Sequence, residues 1–266
     1  MKLLFVCSEY CGDADAGARC IRRLRAELWR QGVPSDVLTY DWAGNAPERL
    51  ADEAGAIYAA ETWYRHARLA RSGAGRPSMS PLRWAKVLCT RGYAVLTEGK
   101  DYAQRGMPVG STASLSKKTA ELCVKNKYDW VVSISYPFAN HLAVLSACPP
   151  GTRVALYNQD PYWNNQTYNA ARAGCRAEEE ASAYQKADLV FCTPEQLPDY
   201  QNEHFAAVRH KIVPLCYPNF ARPAAGRRST IRFDPNEINL LYLGTVYSDI
   251  RKPDTLFWLF ERAAQK

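Results

Sequence analysis

Short apolar runs alternate with amphipathic stretches along most of the chain, and this alternation predicts an α/β fold. The opening run over residues 2–6 leads through a glycine-containing loop to a stretch over 16–31 with apolar residues at helical spacing. Gly32 follows as a helix stop, and residues 33–40 return to strand character. This is a β-α-β unit, the connection that forces two strands to be parallel.

The same alternation resumes after residue 114. Helices are predicted over 115–126, 138–147, 172–186 and 194–205, and strands over 130–135, 153–157, 188–192 and 211–213. Thr193 is predicted as the N-cap of the last helix, with Pro194 at its first position. Helices that alternate with short apolar strands predict a Rossmann-like, doubly wound parallel sheet covered on both faces.

The pattern is looser between residues 42 and 114. Residues 57–69 and 82–96 have helical spacing, whereas 71–80 and 106–111 are rich in Gly, Pro and Ser and are predicted as loops. A long aromatic and basic insertion in a compact domain is more often a binding lid than a core element. We therefore expect an irregular insertion over about 42–114.

A second α/β unit begins near the end of the chain. The apolar run over 238–243 leads to Gly244, a polar loop and an amphipathic stretch from Pro253. The residues before this run are rich in proline, which is typical of an interdomain linker. The predicted parts are a domain over 1–213, a linker over 214–237 and the start of a truncated second domain over 238–266.

Composition narrows the class of protein. With 266 residues, 47% of them hydrophobic, the chain can bury a sizeable core, and no signal peptide or membrane span is apparent, so we expect a cytoplasmic protein. The nine cysteines form no Cys-x-x-Cys pair, which favours buried thiols over a metal site. The net charge of +7 is densest on the first helix, at Arg19, Arg22, Arg23, Arg25 and Arg30. A solvated helix face is the simpler interpretation, and no RNA- or DNA-binding motif accompanies it.

Ligands of a parallel sheet bind beyond the carboxyl ends of its strands, so the loops there are the candidate site. After the first strand, Gly12 and Gly17 precede a helix N-terminus, which allows close backbone approach and favours an anion. The Gly-x-Gly-x-x-Gly dinucleotide fingerprint is missing, which disfavours a dehydrogenase. A purely structural turn remains the alternative for this loop.

Two later strand ends carry polar and aromatic side chains. Tyr136 follows one strand, and His141 lies in the first turn of the next helix, where an imidazole can donate to a sugar hydroxyl or a phosphate. The loop over 157–165 combines Asp160 with the rings of Tyr162 and Trp163, a mixture that recognises carbohydrate. The alternatives are a structural histidine and a turn role for the carboxylate.

Several segments match one known family in the order in which they occur. They are residues 2–10, the helix with Gly17 and Arg19, Tyr128 to Ser133 with His141, Asp160 to Trp163, Glu180 with Ala187 to Val190, and Leu241 to Gly244 with Arg251. Together they resemble the family-4-type glycosyltransferases of the GT-B fold, in which two Rossmann-like domains face each other across a cleft. The segment over 42–114 matches poorly.

The resemblance implies a retaining transfer of a sugar from a nucleotide-sugar donor to a saccharide or lipid-linked acceptor, without a metal or other cofactor. It implies Asp160 and His141 near the reacting centre, acceptor contacts from Gly12, Gly17, Arg19, Tyr136 and Trp163, and donor contacts from Gly244 and Arg251. The remaining donor contacts lie past residue 266, so the chain is expected to be catalytically incomplete. The basic helix is compatible with an acceptor at the inner face of a membrane.

The second hypothesis is a free-standing Rossmann-like module that binds a saccharide or phosphorylated ligand. In that case residues 238–266 form an integral strand and helix of the same sheet. Under the first hypothesis they are a stump with an unpaired strand edge, which predicts homodimerisation through 238–266. Truncation of the chain near Asn219 distinguishes the two.

Overall fold

A computed structural model describes residues 1–8, 10, 16–39, 49–60, 111–135, 137–164 and 173–215, with isolated positions at 85, 88–89, 236, 258 and 261–262. Contacts within the chain divide it into two compact units, Met1–Pro218 and Asn219–Lys266. All elements described below belong to the first unit. The predicted strand over 238–243, together with Gly244 and Arg251, lies outside the described residues.

A single mixed sheet organises the described part of the first unit. Its strands are β1 (Leu3–Cys7), β2 (Ser35–Thr39), β3 (Arg49–Asp52), β4 (Gly55–Ala59), β5 (Trp130–Ser135), β6 (Arg153–Asn158), β7 (Leu189–Cys192) and β8 (Ile212–Pro214). Its helices are α1 (Ala16–Arg30), α2 (Ser111–Asn126), α3 (Ala139–Ala147) and α4 (Ala173–Lys186). The strand order is β3-β4-β2-β1-β5-β6-β7-β8, and every neighbouring pair is parallel except β3 and β4. The predicted Rossmann-like α/β sheet is confirmed.

The chain reverses its direction of growth across the sheet at β1. Leu3 pairs with Ser35 of β2 on one side and with Trp130 of β5 on the other. In sheets with this topology, a crevice forms at the carboxyl edge between the two strands where the order reverses, which here are β1 and β5. This crevice is the expected position of a ligand.

Both faces of the sheet are buried, which explains why its strands are continuous apolar runs. Leu4 and Val6 of β1 belong to the core cluster that includes residues of α2, α3 and α4. Leu3 and Phe5 point to the opposite face and pack in the cluster with Ile21 of α1. The helices thus cover the two sides of the sheet, as a doubly wound fold requires.

The predicted helix over 57–69 is wrong at its start, because Ile57 to Ala59 belong to β4. Val37 of β2 pairs with Ile57, whose side chain is 8% exposed. Pairing with an existing buried strand overrides the local helical spacing. The region predicted as an irregular insertion therefore begins by extending the sheet with β3 and β4. The rest of the predicted helix lies almost entirely outside the described residues.

Gly55 occupies a position that another residue would strain. Its φ is +153°, and a Cβ atom added there would lie 2.4 Å from the Ser35 carbonyl oxygen. The side chain of Asp36 also approaches this position and accepts the backbone N–H of Ala56 at 2.8 Å. The turn between β3 and β4 consequently packs directly against the start of β2.

The predicted helix over 194–205 forms as two 3₁₀ segments, Pro194–Gln201 and Glu203–Phe205. Thr193 is the N-cap residue and Pro194 follows it, as predicted. Pro198 inside the first segment has no N–H to donate, which disfavours a regular α-helix there.

One of the five arginines of the predicted basic face lies inside the protein. Arg25 is 1% exposed, and its guanidinium group contacts the Asp52 carboxylate at 2.7 Å and the Ser35 carbonyl oxygen at 2.5 Å. It also donates to the hydroxyl of Tyr10, in the loop after β1. Arg25 therefore joins α1, the β3–β4 hairpin and a loop of the candidate site.

Candidate functional site

The carboxyl ends of β5 and β6 are lined by buried polar side chains. Ser133 and Ser135 lie two residues apart on the sheet face to which Val131 contributes core contacts, and they are 0% and 3% exposed. Asn158 ends β6 directly opposite Ser135 and is 1% exposed. Polar groups at such depth need hydrogen-bond partners, and here they find them in one another and in the covering helices.

His141 stands at the centre of this polar cluster. Its Nδ1 lies 2.8 Å from the Ser133 hydroxyl, and its Nε2 lies 2.7 Å from Asn158 Oδ1. The Asn158 amide nitrogen donates to two tyrosine hydroxyls, so its oxygen is the atom left to accept from His141. The imidazole therefore carries its proton on Nε2 and accepts from Ser133 on Nδ1.

The environment of His141 favours the neutral ring. Burial lowers its pKa to about 4, although the hydrogen bond to Asn158 acts in the opposite direction. The side chain has no solvent exposure, so it lies beneath the strand ends in this conformation. These are the properties of the structural alternative, and contact with a substrate remains a prediction.

Glu180 on α4 is a second buried titratable group in the same network. Its Oε1 accepts the hydroxyls of Tyr184 and Tyr200, the second at 3.2 Å, and its Oε2 accepts the backbone N–H of Trp163 at 2.8 Å. Burial raises the pKa of Glu180 to about 7, against the effect of these hydrogen bonds. Asn158 donates to both tyrosine hydroxyls, which connects Glu180 with His141.

The loop after β6 is held at several backbone positions, while its carboxylate residue faces outward. Ser135 Oγ lies 3.4 Å from the Asp160 carbonyl oxygen, and Gln196 donates to the Gln159 carbonyl oxygen at 2.6 Å. The side chain of Asp160 is exposed at the carboxyl edge of the sheet. The loop thus presents a carboxylate on a fixed backbone, the arrangement needed to orient a hydroxyl group.

The two rings of this loop are less available than the sequence predicts. Tyr162 is 3% exposed, with its ring stacked on Phe138 at 4.1 Å and its hydroxyl donating to Glu179, and its contact with a sugar face stays a prediction. Trp163 is half-buried against Phe205, and its Nε1 is buried without a hydrogen-bond partner. Part of the indole remains exposed, so its role as an acceptor contact stays a prediction.

The loop after β1 is described only in part. Tyr10 is buried, and its hydroxyl accepts from Arg25 while its carbonyl oxygen accepts from Arg22 at 2.5 Å. Burial raises the pKa of Tyr10 to about 12. Gly17 and Arg19 lie in the first turn of α1, where Arg19 is exposed at the carboxyl edge. Gly12 lies outside the described residues, as does Tyr136 after β5.

The structure brings three of the predicted site residues together. Asp160, His141 and Trp163 meet around the ends of β5 and β6, joined through Asn158 and Glu180. Sequence reasoning did not assign a role in the site to Glu180, Tyr184 or Tyr200. The sequence feature that could have indicated them is the i, i+4 spacing of Glu180 and Tyr184, on the face of α4 that also carries buried alanines.

Two absences hold for the described residues. Within them, no group of three or more His, Cys, Asp and Glu side chains could hold a metal ion. No helix among them has the length and apolar character needed to cross a bilayer.

A mostly parallel sheet that reverses at β1 defines a Rossmann-like domain, and solved structures with this fold exist. The chain is similar to sucrose-phosphate synthase from Thermosynechococcus elongatus, with a TM-score of 0.50 at 11% identity over 80% of this chain and 47% of that one. A second structure of sucrose-phosphate synthase from this organism gives a TM-score of 0.45 at 9% sequence identity. The similarity covers 81% of this chain and 90% of that one. UDP-GlcNAc 2-epimerase from Methanocaldococcus jannaschii gives a TM-score of 0.42 at 10% sequence identity. The similarity covers 80% of this chain and 45% of that one.

These similarities concern the fold alone, which is the Rossmann-like α/β fold described above. The chain spans about half the length of the first sucrose-phosphate synthase and of the epimerase. No protein-family model and no curated protein matches it.

Proposed function

We propose that this chain is the acceptor-binding half of a retaining glycosyltransferase of the GT-B type, related to family 4. The donor is a nucleotide-sugar, the acceptor is a saccharide or a lipid-linked saccharide, and no metal takes part. In this proposal most of the donor contacts belong to a second domain. The coverage of about half of a sucrose-phosphate synthase is consistent with this division of labour.

The observation that carries the proposal is the exposed carboxylate of Asp160 on a fixed loop beside the reversal point of the sheet. Ser135 contacts the carbonyl oxygen of Asp160, and Gln196 donates to the carbonyl oxygen of Gln159. The backbone that carries the carboxylate is therefore fixed. A carboxylate accepts hydrogen bonds from sugar hydroxyls that are stronger than those between neutral groups. Asp160 orients an acceptor hydroxyl in this proposal.

The contribution of His141 is different. Its ring is neutral and fully buried, and it fixes Asn158 at the end of β6. Through Asn158 and Ser135 it supports the backbone of the Asp160 loop. In the proposed reaction His141 reaches the reacting centre only if the loops above it open.

Saturation-transfer NMR with a panel of monosaccharides, disaccharides and sugar phosphates tests the binding step. We expect at least one saccharide to bind, and Asp160→Asn to weaken it by about tenfold, the loss expected for a charged hydrogen bond. Glu53→Gln is the matched control, because Glu53 is an exposed carboxylate at the opposite, amino edge of the sheet. Absence of saccharide binding, or binding that ignores Asp160→Asn, contradicts the proposal.

A transfer assay tests the incompleteness of the donor side. We expect no transfer from UDP-, GDP- or ADP-sugars to any saccharide that binds. Transfer by this chain alone would overturn the assignment of the donor contacts to a second domain. Saccharide binding without transfer by a longer chain that contains both domains favours the binding module instead.

A further inference from the structure

Glu180 is an ionisable group placed underneath the loop that carries Asp160. Its carboxyl group has no solvent exposure, although Glu178, two positions earlier on the same helix, is exposed. One carboxyl oxygen contacts the backbone N–H of Trp163 in that loop. The other contacts the hydroxyls of Tyr184 and Tyr200 in the core. Glu180 therefore bridges the interior and the loop.

The donors around Glu180 are arranged for the ionised form. Asn158 uses its two N–H groups on the hydroxyls of Tyr184 and Tyr200, and both hydroxyls lie where they donate to the carboxylate. The Tyr184 hydroxyl also lies 3.2 Å from the Tyr200 hydroxyl, its second acceptor. The Trp163 N–H supplies a further donor on the opposite oxygen, at 2.8 Å. The backbone N–H of Tyr162 is a fourth donor to this carboxylate. A carboxylate has about four acceptor positions, so a proton on either oxygen must displace one of the four donors.

We propose that Glu180 is a positioning residue for the loop over 159–164: its carboxylate fixes the backbone at Trp163, and its protonation loosens that contact. The inference rests on the proposed function only in taking this loop to be the saccharide loop. Its physical basis is the direct contact between a buried carboxylate and a loop amide.

Among the ionisable groups of this hydrogen-bond network, Glu180 has the pKa nearest to neutral pH. Burial raises the pKa of Glu180 to about 7. Burial also raises the pKa values of Tyr184 and Tyr200 well above the ordinary value, so both stay protonated. At the other end, His141 stays neutral above a pKa of about 4.

Among the residues that the structure describes, one cation and two other ionisable groups face this region from the packed elements. Arg176, one turn earlier on α4, places its Nη1 3.4 Å from the Tyr162 carbonyl oxygen. Glu179 accepts the Tyr162 hydroxyl at 2.9 Å, and the Cys192 thiol at the end of β7 faces Tyr200 and has its pKa raised to about 11 by burial. None of these three groups accepts the Trp163 backbone N–H, which donates to Glu180.

Selective ¹⁵N-tryptophan labelling reads the proposed contact directly, because the chain has only seven tryptophans. The Trp163 amide is assigned by its disappearance in Trp163→Phe. We expect its proton shift to change with an inflection near pH 7, as the amide loses its acceptor. Glu180→Gln should abolish the inflection and speed hydrogen exchange of this amide by about tenfold. Glu178→Gln, on the same helix, should leave both unchanged.

If Glu180→Gln does not fold, a second variant still tests the role of Glu180. Tyr200→Phe removes one hydroxyl that favours the ionised carboxylate, so the inflection should move to higher pH. A structural role alone lowers stability but produces no titration of the Trp163 amide. A flat shift between pH 5.5 and 8.5, or an inflection that both variants leave in place, overturns the inference. No saccharide is needed, so a failure here is separate from a failure of the proposed function.

Discussion

At the scale of single residues, His141 shows how burial fixes a protonation state. The unfolded chain takes up a proton on this histidine below about pH 6.5, whereas the folded protein does so only below about pH 4. A depressed pKa contributes stability that is present above pH 6.5 and lost as the pH falls towards 4. The shift corresponds to about 3 kcal/mol of unfolding free energy.

His141→Gln removes this proton uptake from the unfolded state. Relative to the wild type, the unfolding free energy of the variant should therefore rise by about 3 kcal/mol between pH 7 and pH 4. Urea denaturation at a series of pH values measures the difference. His204→Gln makes the same substitution at an exposed histidine and is the control for the substitution itself. A flat difference for His141→Gln would contradict the assigned environment.

The pKa shift of Glu180 is opposite in sign to that of His141, so the two residues affect stability with opposite pH dependence. Its raised pKa means that its contribution to stability is complete below about pH 4.5 and is lost as the pH rises through 7. Between these values the two groups oppose each other. The wild-type stability profile should consequently be flatter than that of either single variant, and the comparison of all three by urea denaturation checks this.

At the scale of elements, the buried Arg25 connects α1 to the β3–β4 hairpin. A double-mutant cycle with Arg25→Met and Asp52→Asn should give a coupling of about 1–3 kcal/mol, because the guanidinium is almost fully buried. Arg30 and Glu27 form an exposed pair on the same helix, and their cycle should give about 0.5 kcal/mol or less. Equal couplings from thermal or urea unfolding would show that Asp52 is not a true partner.

The β3–β4 turn allows a separate test of backbone strain against crowding. Gly55 and Gly151 both have positive φ, but only at Gly55 would a Cβ meet another backbone atom, at 2.4 Å. Gly151→Ala should cost about 1–3 kcal/mol, and Gly55→Ala distinctly more. Urea denaturation of the two variants makes the comparison, and similar losses would contradict the close packing of this turn against β2.

The elements also show what the sequence could and could not predict. β1, β5 and β6 were predictable because burial on both faces makes them continuous apolar runs. β4 was missed because its identity depends on pairing with β2, and local spacing does not report a distant partner. Asp160 and His141 were found through their place after a strand. The link through Glu180 was not, because hydrogen bonds between α4 and a loop require the fold itself.

At the scale of the whole molecule, the first unit has its own core on both faces of the sheet. We therefore expect residues 1–218 to fold without the rest of the chain. Differential scanning calorimetry should give a melting temperature within about 2–4 °C of the intact chain, the shift that roughly 1 kcal/mol produces in a domain of this size. A loss of several kcal/mol would instead make 238–266 part of the same cooperative unit, as the binding-module hypothesis requires.

The central position of β1 has a consequence for synthesis on the ribosome. The backbone N–H of Lys2 contacts the carboxylate of Asp129, and 127 positions along the chain separate them. At about 5–20 residues per second, β1 emerges on the order of ten seconds before β5 exists to cover its second edge. During that interval the unpaired backbone N–H and C=O groups of its second edge are open to any other strand. A nascent chain halted before β5 should therefore bind chaperones, and the full-length chain should not.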